Sequence, residues 1–300
     1  MLSLDRLRVL HTIETYGSVQ SAANALRVSA SAVSQQVAKL EQEVGMILVE
    51  RHGRGVRLTD VASLLCARTD GLLATIEAIE GELDLFRSTV SGTIRISAFP
   101  TAARGLGPNL ALWLQRHHPQ LQLIMSEQEP ADALVLLAQG DIDLAIAQDW
   151  DNAPLALPES LSHVPLFDDV ADVAFPETHR LARRRSISLV DLVLEDWITW
   201  PSGELCHEWL KHSLRSLGHE PHIVHTAAEH ATQLAFVAAG LGLAVIPRLG
   251  RGAVPDGVRM VKIDPALHRH VFLTWRTNAS RRTAITAVRE ATTAISAGHR

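Results

Sequence analysis

Between Val28 and Glu41 the chain reads "VSASAVSQQVAKLE". Val33, Val37 and Leu40 recur at helical spacing, so one face of this segment is apolar. The opposite face carries Ser31, Ser34, Gln35 and Lys39, hydroxyls and amides where a solvated helix usually carries Glu and Lys. Such a face suits the edges of bases. Gln pairs bidentately with adenine, Ser reaches a base or a phosphate, and no long acid is present for phosphate to repel. Ser29 opens the segment, and the neighbouring Ala30 and Ala32 are small enough to approach a thymine methyl. Arg51, Arg54 and Arg57 follow in "LVERHGRGVRLT", where they can hold phosphates or reach a minor groove. The competing account is a decorated surface helix beside a solubilising loop.

The surrounding elements favour the first account. Ser3 can cap a helix with Leu7, Leu10 and Ile13 on one side, and Gly17 supplies its stop. Ser18 can cap the short helix "VQSAANAL", whose Ala22 and Ala23 allow another helix to cross closely. "RVS" is a tight connection, and Ser29 or Ser31 caps a third helix that runs to Gly45. Two helices joined this way form a helix-turn-helix. Gly53 and Gly55 then permit a hairpin between "ILVE" and "VRLT", a basic wing. Turn, helix and wing in this order point to duplex DNA.

Thr59 can cap the next helix, and the series Leu58, Ala62, Leu65, Thr69, Leu72, Ile76, Ile79, Leu83 and Phe86 alternates steps of four and three. A narrow seam with polar flanks predicts a long dimer helix rather than one helix lying on a core. Leu65, Leu72, Ile76, Ile79, Leu83 and Phe86 are its expected dimerisation contacts. From Thr93, strands alternate with helices in two successive sets, the pattern of parallel α/β units. Two such units side by side suggest a ligand cleft between them.

Other chemistry finds little support. The net charge is -5, so any nucleic acid must meet a local patch. The histidines of "HEPHIVHTAAEH" (His219, His222, His225, His230) lack the spacing of known metal sites. Cys66 and Cys206 are far apart, fit a reducing compartment, and read as buried fillers. Asp5, Arg6 and Arg8 interrupt the start, and "LAFVAAGLGLAVIP" is too short to span a bilayer, so the chain reads as soluble and cytoplasmic. No Gly-rich phosphate loop, nucleophile elbow or paired catalytic carboxylate supports an enzyme. No metal or cofactor is expected. The alternative class is an α/β binding protein or enzyme whose amino-terminal helices serve only for dimerisation.

"SVQSAANALRVSASAVSQQVAKLEQEVG" and "LVERHGRGVRLT" resemble the LysR-type transcriptional regulator family, and "GDIDLAI" and "VAAGLGLAVIP" extend the likeness downstream. Val49 stands where the family usually has Phe, and Val61-Ala62 where it usually has Ala-Gly. The resemblance implies an α+β multidomain chain. Residues 1–59 would form a winged helix-turn-helix and residues 60–91 a linker and dimerisation helix. Residues 92–300 would form a two-lobed α/β regulatory domain similar to periplasmic binding proteins. Lobe I would take about 92–163 and 268–300, and lobe II about 164–267. It further implies homodimers reading an inverted-repeat promoter site, assembly to homotetramers, a small-molecule effector between the lobes, and RNA polymerase as a further contact.

Thr101, just past the strand "TIRISAF", and Ser202, in "TWPSGEL" with Gly203 beside it, sit near helix starts, where unpaired N–H groups favour an anion. Family members similarly place hydroxyl residues there. Gln128 and Gln148 are expected to line the same cleft, with Trp200 as an apolar wall. Glu127, Glu129 and Asp149 nearby argue against a bare dianion and, if they face the cleft, suit an effector that also carries an amine, such as an amino acid or its derivative. The bland alternative is that Thr101 and Ser202 only cap their helices.

Overall fold

A computed structural model of the 300-residue chain describes residues 2–26, 28–52, 55–84 and 89–299. The amino-terminal unit contains α1 (Leu4–Tyr16), α2 (Val19–Ala25), α3 (Ala30–Val44) and a hairpin of β1 (Val49–His52) and β2 (Gly55–Leu58). Gly17 adopts φ 70° and its N–H closes α1 on the Ile13 carbonyl. Ser18 Oγ accepts from the Ser21 N–H at 3.0 Å, so the side-chain cap expected for α2 forms. Ser3 occupies the cap position of α1 but makes no side-chain cap bond. Ala22 and Ala23 are fully buried beside Ile13, Val33 and Val37, as a close α2–α3 crossing requires.

Helix α4 (Asp60–Asp84) starts at a Thr59 cap, whose Oγ1 accepts from the Ala62 N–H at 3.3 Å. Its first turns belong to the amino-terminal core, where Ala62 and Cys66 pack with Leu7, Leu10, Leu40 and Leu48. The rest reaches lobe I, where Gly81 lies against Arg281.

Beyond it come β3 (Gly92–Ala98), α5 (Pro100–His117), β4 (Leu121–Glu127), α6 (Pro130–Gln139) and β5 (Leu144–Trp150). Then follow β6 (Leu161–Pro176), β7 (Ser186–Ile187), β8 (Asp196–Thr199), α7 (Leu205–Ser216), β9 (His222–Thr226), α8 (His230–Ala238) and β10 (Ala244–Pro247). The chain closes with β11 (Val258–Arg276) and α9 (Thr283–Ser296). One sheet has the order β10-β6-β11-β5-β3-β4, with β7 added to β11, and β8 and β9 form a separate parallel pair.

Two cores flank this sheet. Ile94, Ile96, Leu110, Leu273 and Val288 centre lobe I, whereas Phe175, Trp197, Leu210 and Val245 centre lobe II. The antiparallel strands β6 and β11 contribute to both cores. The lobe boundaries near 163/164 and 267/268 therefore fall inside continuous strands. Pro165 and Pro265 interrupt the alternation, and the register of the pair shifts close to each. That is why the sequence pattern shows these strands only in pieces.

Candidate functional site

On α3 the apolar residues Val33, Val37 and Leu40 are buried, while Ser31, Ser34, Gln35 and Lys39 are exposed and Ala32 is half-buried. Ser29 Oγ accepts from the Ala32 N–H at 3.2 Å and lies 2.8 Å from Ser31 Oγ. Ser29 is thus the cap, and Ser31 is its neighbour. The uncovered face of α3 offers neutral donors and acceptors with one cation. In the wing Arg57 is exposed opposite Glu50 in the strand register. Arg54 and Phe86 lie outside the described residues, as does the side chain of Arg51.

Glu41 sets the wing. Its carboxylate accepts from the N–H groups of Leu48 at 2.8 Å and Val49 at 3.2 Å, fixing the chain as it enters β1. Arg6 ties α1 to α3 through Gln36 Oε1 at 3.3 Å and through the Glu43 carboxylate. These supports are invisible in the helical spacing, because each joins residues of different elements.

The apolar series on α4 divides in two. Ala62, Leu65 and Thr69 turn toward the chain's own core, Leu65 half-buried there. Leu72, Ile76, Ile79 and Leu83 remain exposed at 49%, 38%, 51% and 56%, and Leu64 joins them at 57%. Of the expected dimer contacts, Leu65 thus leaves the open stripe, because the winged domain packs on that face of the first turns.

Between the lobes lies a narrow cavity of roughly 10 Å³ walled by Phe99, Thr101, Glu129, Gln148, Trp200, Cys206, His230 and Arg269. Of the residues expected at the cleft, Thr101, Gln148 and Trp200 line this cavity. Ser202 and Gly203 are exposed and do not line it; the chain passes outward there before α7 begins at Leu205. Gln128 lines a different recess, between α2 and lobe I, and its successor Glu129 occupies the cavity wall instead. Glu127 and Asp149 do not line it either, and Asp149 accepts from the Leu155 N–H at 3.2 Å.

The cavity walls are polar and tightly held. Arg269, 1% exposed, donates through one nitrogen to Asp169 at 2.6 Å and to Thr101 Oγ1 at 3.1 Å, and its guanidinium lies 4.8 Å from the centre of the Phe99 ring. Gln148 Nε2 donates to Cys206 Sγ at 3.4 Å. The edge of His230 meets Trp200 with centroids 5.1 Å apart. Three buried polar atoms of the wall have no hydrogen-bond partner among the described residues: Arg269 Nε, Gln148 Oε1 and His230 Nε2. Burial, reinforced by Glu204, pushes Glu129 up to about 7. Burial, with Arg269 adding to it, pushes His230 down to about 3 and keeps it neutral. Burial also raises the Cys206 thiol.

Phe99, Cys206, His230 and Arg269 are wall residues that the sequence pattern did not single out for the effector, whereas Glu129 entered it only as a nearby acid. For Arg269 a signal exists. It alternates in "RHVFLTW" with Val271, Leu273 and Trp275, so it shares their face, and all of them are buried.

Comparison with known proteins agrees with this architecture. Residues 4–63 match the model of the bacterial regulatory helix-turn-helix protein, lysR family, and residues 87–295 match the LysR substrate binding domain. The chain belongs to the LysR family. It is a DNA-binding transcriptional regulator that responds to a ligand. The chain is 27% identical to the DNA-binding transcriptional dual regulator OxyR of Escherichia coli K12, over 99% of this chain and 97% of that one. A "Probable RuBisCO transcriptional regulator" of Chlorokybus atmophyticus is 32% identical over 63% of this chain and 60% of its own length. A full-length OxyR variant from Pseudomonas aeruginosa shares the fold with a TM-score of 0.67 at 23% identity, over 97% of this chain and 95% of that one. The family's matched relatives are regulators, not enzymes, and among the described residues no helix is long and apolar enough to cross a membrane.

Proposed function

We propose that this LysR-family regulator senses a compact, net-neutral polar molecule in the interlobe cavity and answers through the α3 faces of a dimer. One observation carries the effector reading: the three partnerless polar atoms belong to the walls of a single narrow cavity. A buried hydrogen bond left unmade costs about 1–3 kcal/mol, so a ligand that supplies these partners is favoured on that scale. Arg269 Nε calls for an acceptor, Gln148 Oε1 calls for a donor, and Glu129 is able to take or give a proton near neutrality. An amino acid or a close derivative meets these demands. The larger recess of about 690 Å³ that shares Pro100, Glu129, Ala228 and His230 with the cavity leaves room for its side chain.

On the DNA side, Ser31, Ser34, Gln35 and Lys39 would read base edges, with Ser29 and Ala32 beside them and Arg51, Arg54 and Arg57 on phosphates. The open α4 stripe would pair two cytoplasmic chains on an inverted repeat, with tetramers and RNA polymerase contacts above that level. A titration of amino acids by calorimetry tests the effector site. Thr101→Val and Gln148→Ala should weaken binding at least tenfold while operator affinity without effector is kept. Undiminished binding in both variants would move the site elsewhere.

A second reading rests on Cys206 Sγ, which shares the cavity with Gln148 and Arg269. The narrowness of the cavity, roughly 10 Å³, favours a very small polar oxidant in this reading, whereas the amino-acid reading also draws on the adjoining recess of about 690 Å³. Several relatives are named hydrogen peroxide-inducible genes activators. In this reading the sulfur attacks one peroxide oxygen, giving Cys206 sulfenic acid and water. Burial opposes it by holding the thiol protonated. Intact-mass measurement after peroxide treatment distinguishes the two, because only this reading adds one oxygen at Cys206.

A further inference from the structure

We infer that Asp169 is the residue that makes the interlobe cavity prefer net-neutral ligands over anions; the inference rests on the cavity's being the effector site. Asp169 on β6 stands directly opposite Arg269 on β11 in the strand register. Directly opposed residues of an antiparallel pair share a face, so the two are held together by the backbone itself. Both oxygens of the carboxylate are committed. Oδ2 accepts from Arg269 at 2.6 Å, and Oδ1 accepts from the Leu249 N–H at 3.0 Å. Asp169 is 6% exposed and Arg269 is 1% exposed, so water screens neither.

Arg269 is the one cation among the described residues of the cavity wall, and Asp169 cancels it. A carboxylate arriving at Arg269 Nε therefore meets a guanidinium whose charge is already balanced, with Glu129 as a further acid across the cavity. A neutral acceptor meets the same N–H without that opposing charge. In a site of low effective dielectric this difference is large compared with one neutral hydrogen bond.

The second oxygen gives Asp169 a structural partner. Leu249 and Gly250 lie against the first turn of α5. A Cβ on Gly250 would sit 2.2 Å from the Thr101 carbonyl oxygen, and one on Gly105 would sit 2.7 Å from Leu249 Cδ1. The same carboxylate thus anchors Arg269 and the segment that seats Thr101. Asp169 touches no ligand in this scheme. It acts through Arg269 as a positioning and charge-setting residue.

The test uses the full chain, the isosteric pair acetamide and acetate, and the Asp169→Asn variant. Binding is followed on the Arg269 Nε–H resonance by NMR. The wild type should take acetamide at least tenfold more tightly than acetate, and Asp169→Asn should shrink that ratio at least tenfold. Asp169→Asn with Arg269→Gln removes both charges and should return the preference to acetamide, read on the Gln148 side-chain amide. That reversal separates a charge effect from a folding defect. If acetamide binds but the ratio is unchanged in Asp169→Asn, the inference is overturned while the effector site stands. If neither probe perturbs Arg269 or Gln148 in the wild type, the effector reading fails and the inference fails with it.

Discussion

Glu129 and His230 face the same cavity and drive the stability of the regulatory domain in opposite directions with pH. Burial, with Glu204 adding to it and Arg269 opposing, moves Glu129 from 4.5 to about 7, whereas burial and Arg269 move His230 from 6.5 to about 3. For His230 the unfolded chain binds the proton that the folded one refuses, so stability rises with pH between about 3 and 6.5. For Glu129 the folded chain keeps a proton that the unfolded one releases, so stability falls between about 4.5 and 7. At 1.36 kcal/mol per pH unit the two terms span roughly 5 and roughly 3 kcal/mol. Their slopes cancel where the intervals overlap, and the wild type should show a plateau there. Glu129→Gln removes the falling term. The stability of Glu129→Gln minus that of the wild type should climb by about 3 kcal/mol between pH 4.5 and 7 and stay level outside that interval. Guanidinium unfolding followed by tryptophan fluorescence measures this, since all six tryptophans lie in the regulatory domain, from Trp113 to Trp275. A level difference curve would refute the reasoning, because it would mean that Glu129 titrates alike in the folded and unfolded chains.

Leu72→Asp with Ile79→Asp replaces half-exposed apolar groups that should gain about 1 kcal/mol each on pairing, four per dimer. Sedimentation should show the dimer Kd raised about a thousandfold, and an unchanged Kd would place the interface elsewhere. Gln35→Ala should change base preference at one position per half-site by about 1–3 kcal/mol in a selection assay, whereas equal loss on every sequence would reduce Gln35 to a backbone contact. Arg57→Ala should weaken binding to all sequences and lower the salt slope of log K by about one, which a binding isotherm series reads directly. Glu41→Ala strips two N–H groups of β1 and its approach of their acceptor and should cost about 1–3 kcal/mol for each that stays dry, with lower operator affinity. Operator affinity equal to wild type would show that the wing holds its place without Glu41.

The sequence by itself shows whatever repeats at short range. Val33, Val37 and Leu40 set the inner face of α3, so its outer face of Ser31, Ser34, Gln35 and Lys39 followed from the same period. Ala22 and Ala23 announced the crossing, and Thr101, Gln148 and Trp200 were found at the ends of strands. The same local rule misplaced Ser202. A hydroxyl before a helix reads as a cap or an anion contact, yet α7 starts at Leu205 and Ser202 stays in solvent. It chose Gln128 over Glu129 as well, because one position along the chain beyond a strand decides which side of the sheet a side chain reaches. The α4 seam had the correct period, but period cannot say what covers each part of it. Leu65 belongs to the winged domain, whereas Leu72 to Leu83 stay open.

The centre of the cavity was out of reach for a different reason. A buried guanidinium is several kcal/mol too costly to keep without a partner, so Arg269 in an apolar strand demands an acid somewhere in the fold. Alternation with Val271, Leu273 and Trp275 exposes the demand. Its answer, Asp169, lies 100 residues away and is reached only because β6 and β11 run side by side through both lobes. Pro165 and Pro265 break up the pattern of those very strands. The elements that join the lobes are therefore the ones whose pairing, and whose charges, depend on the whole fold rather than on any local stretch of it.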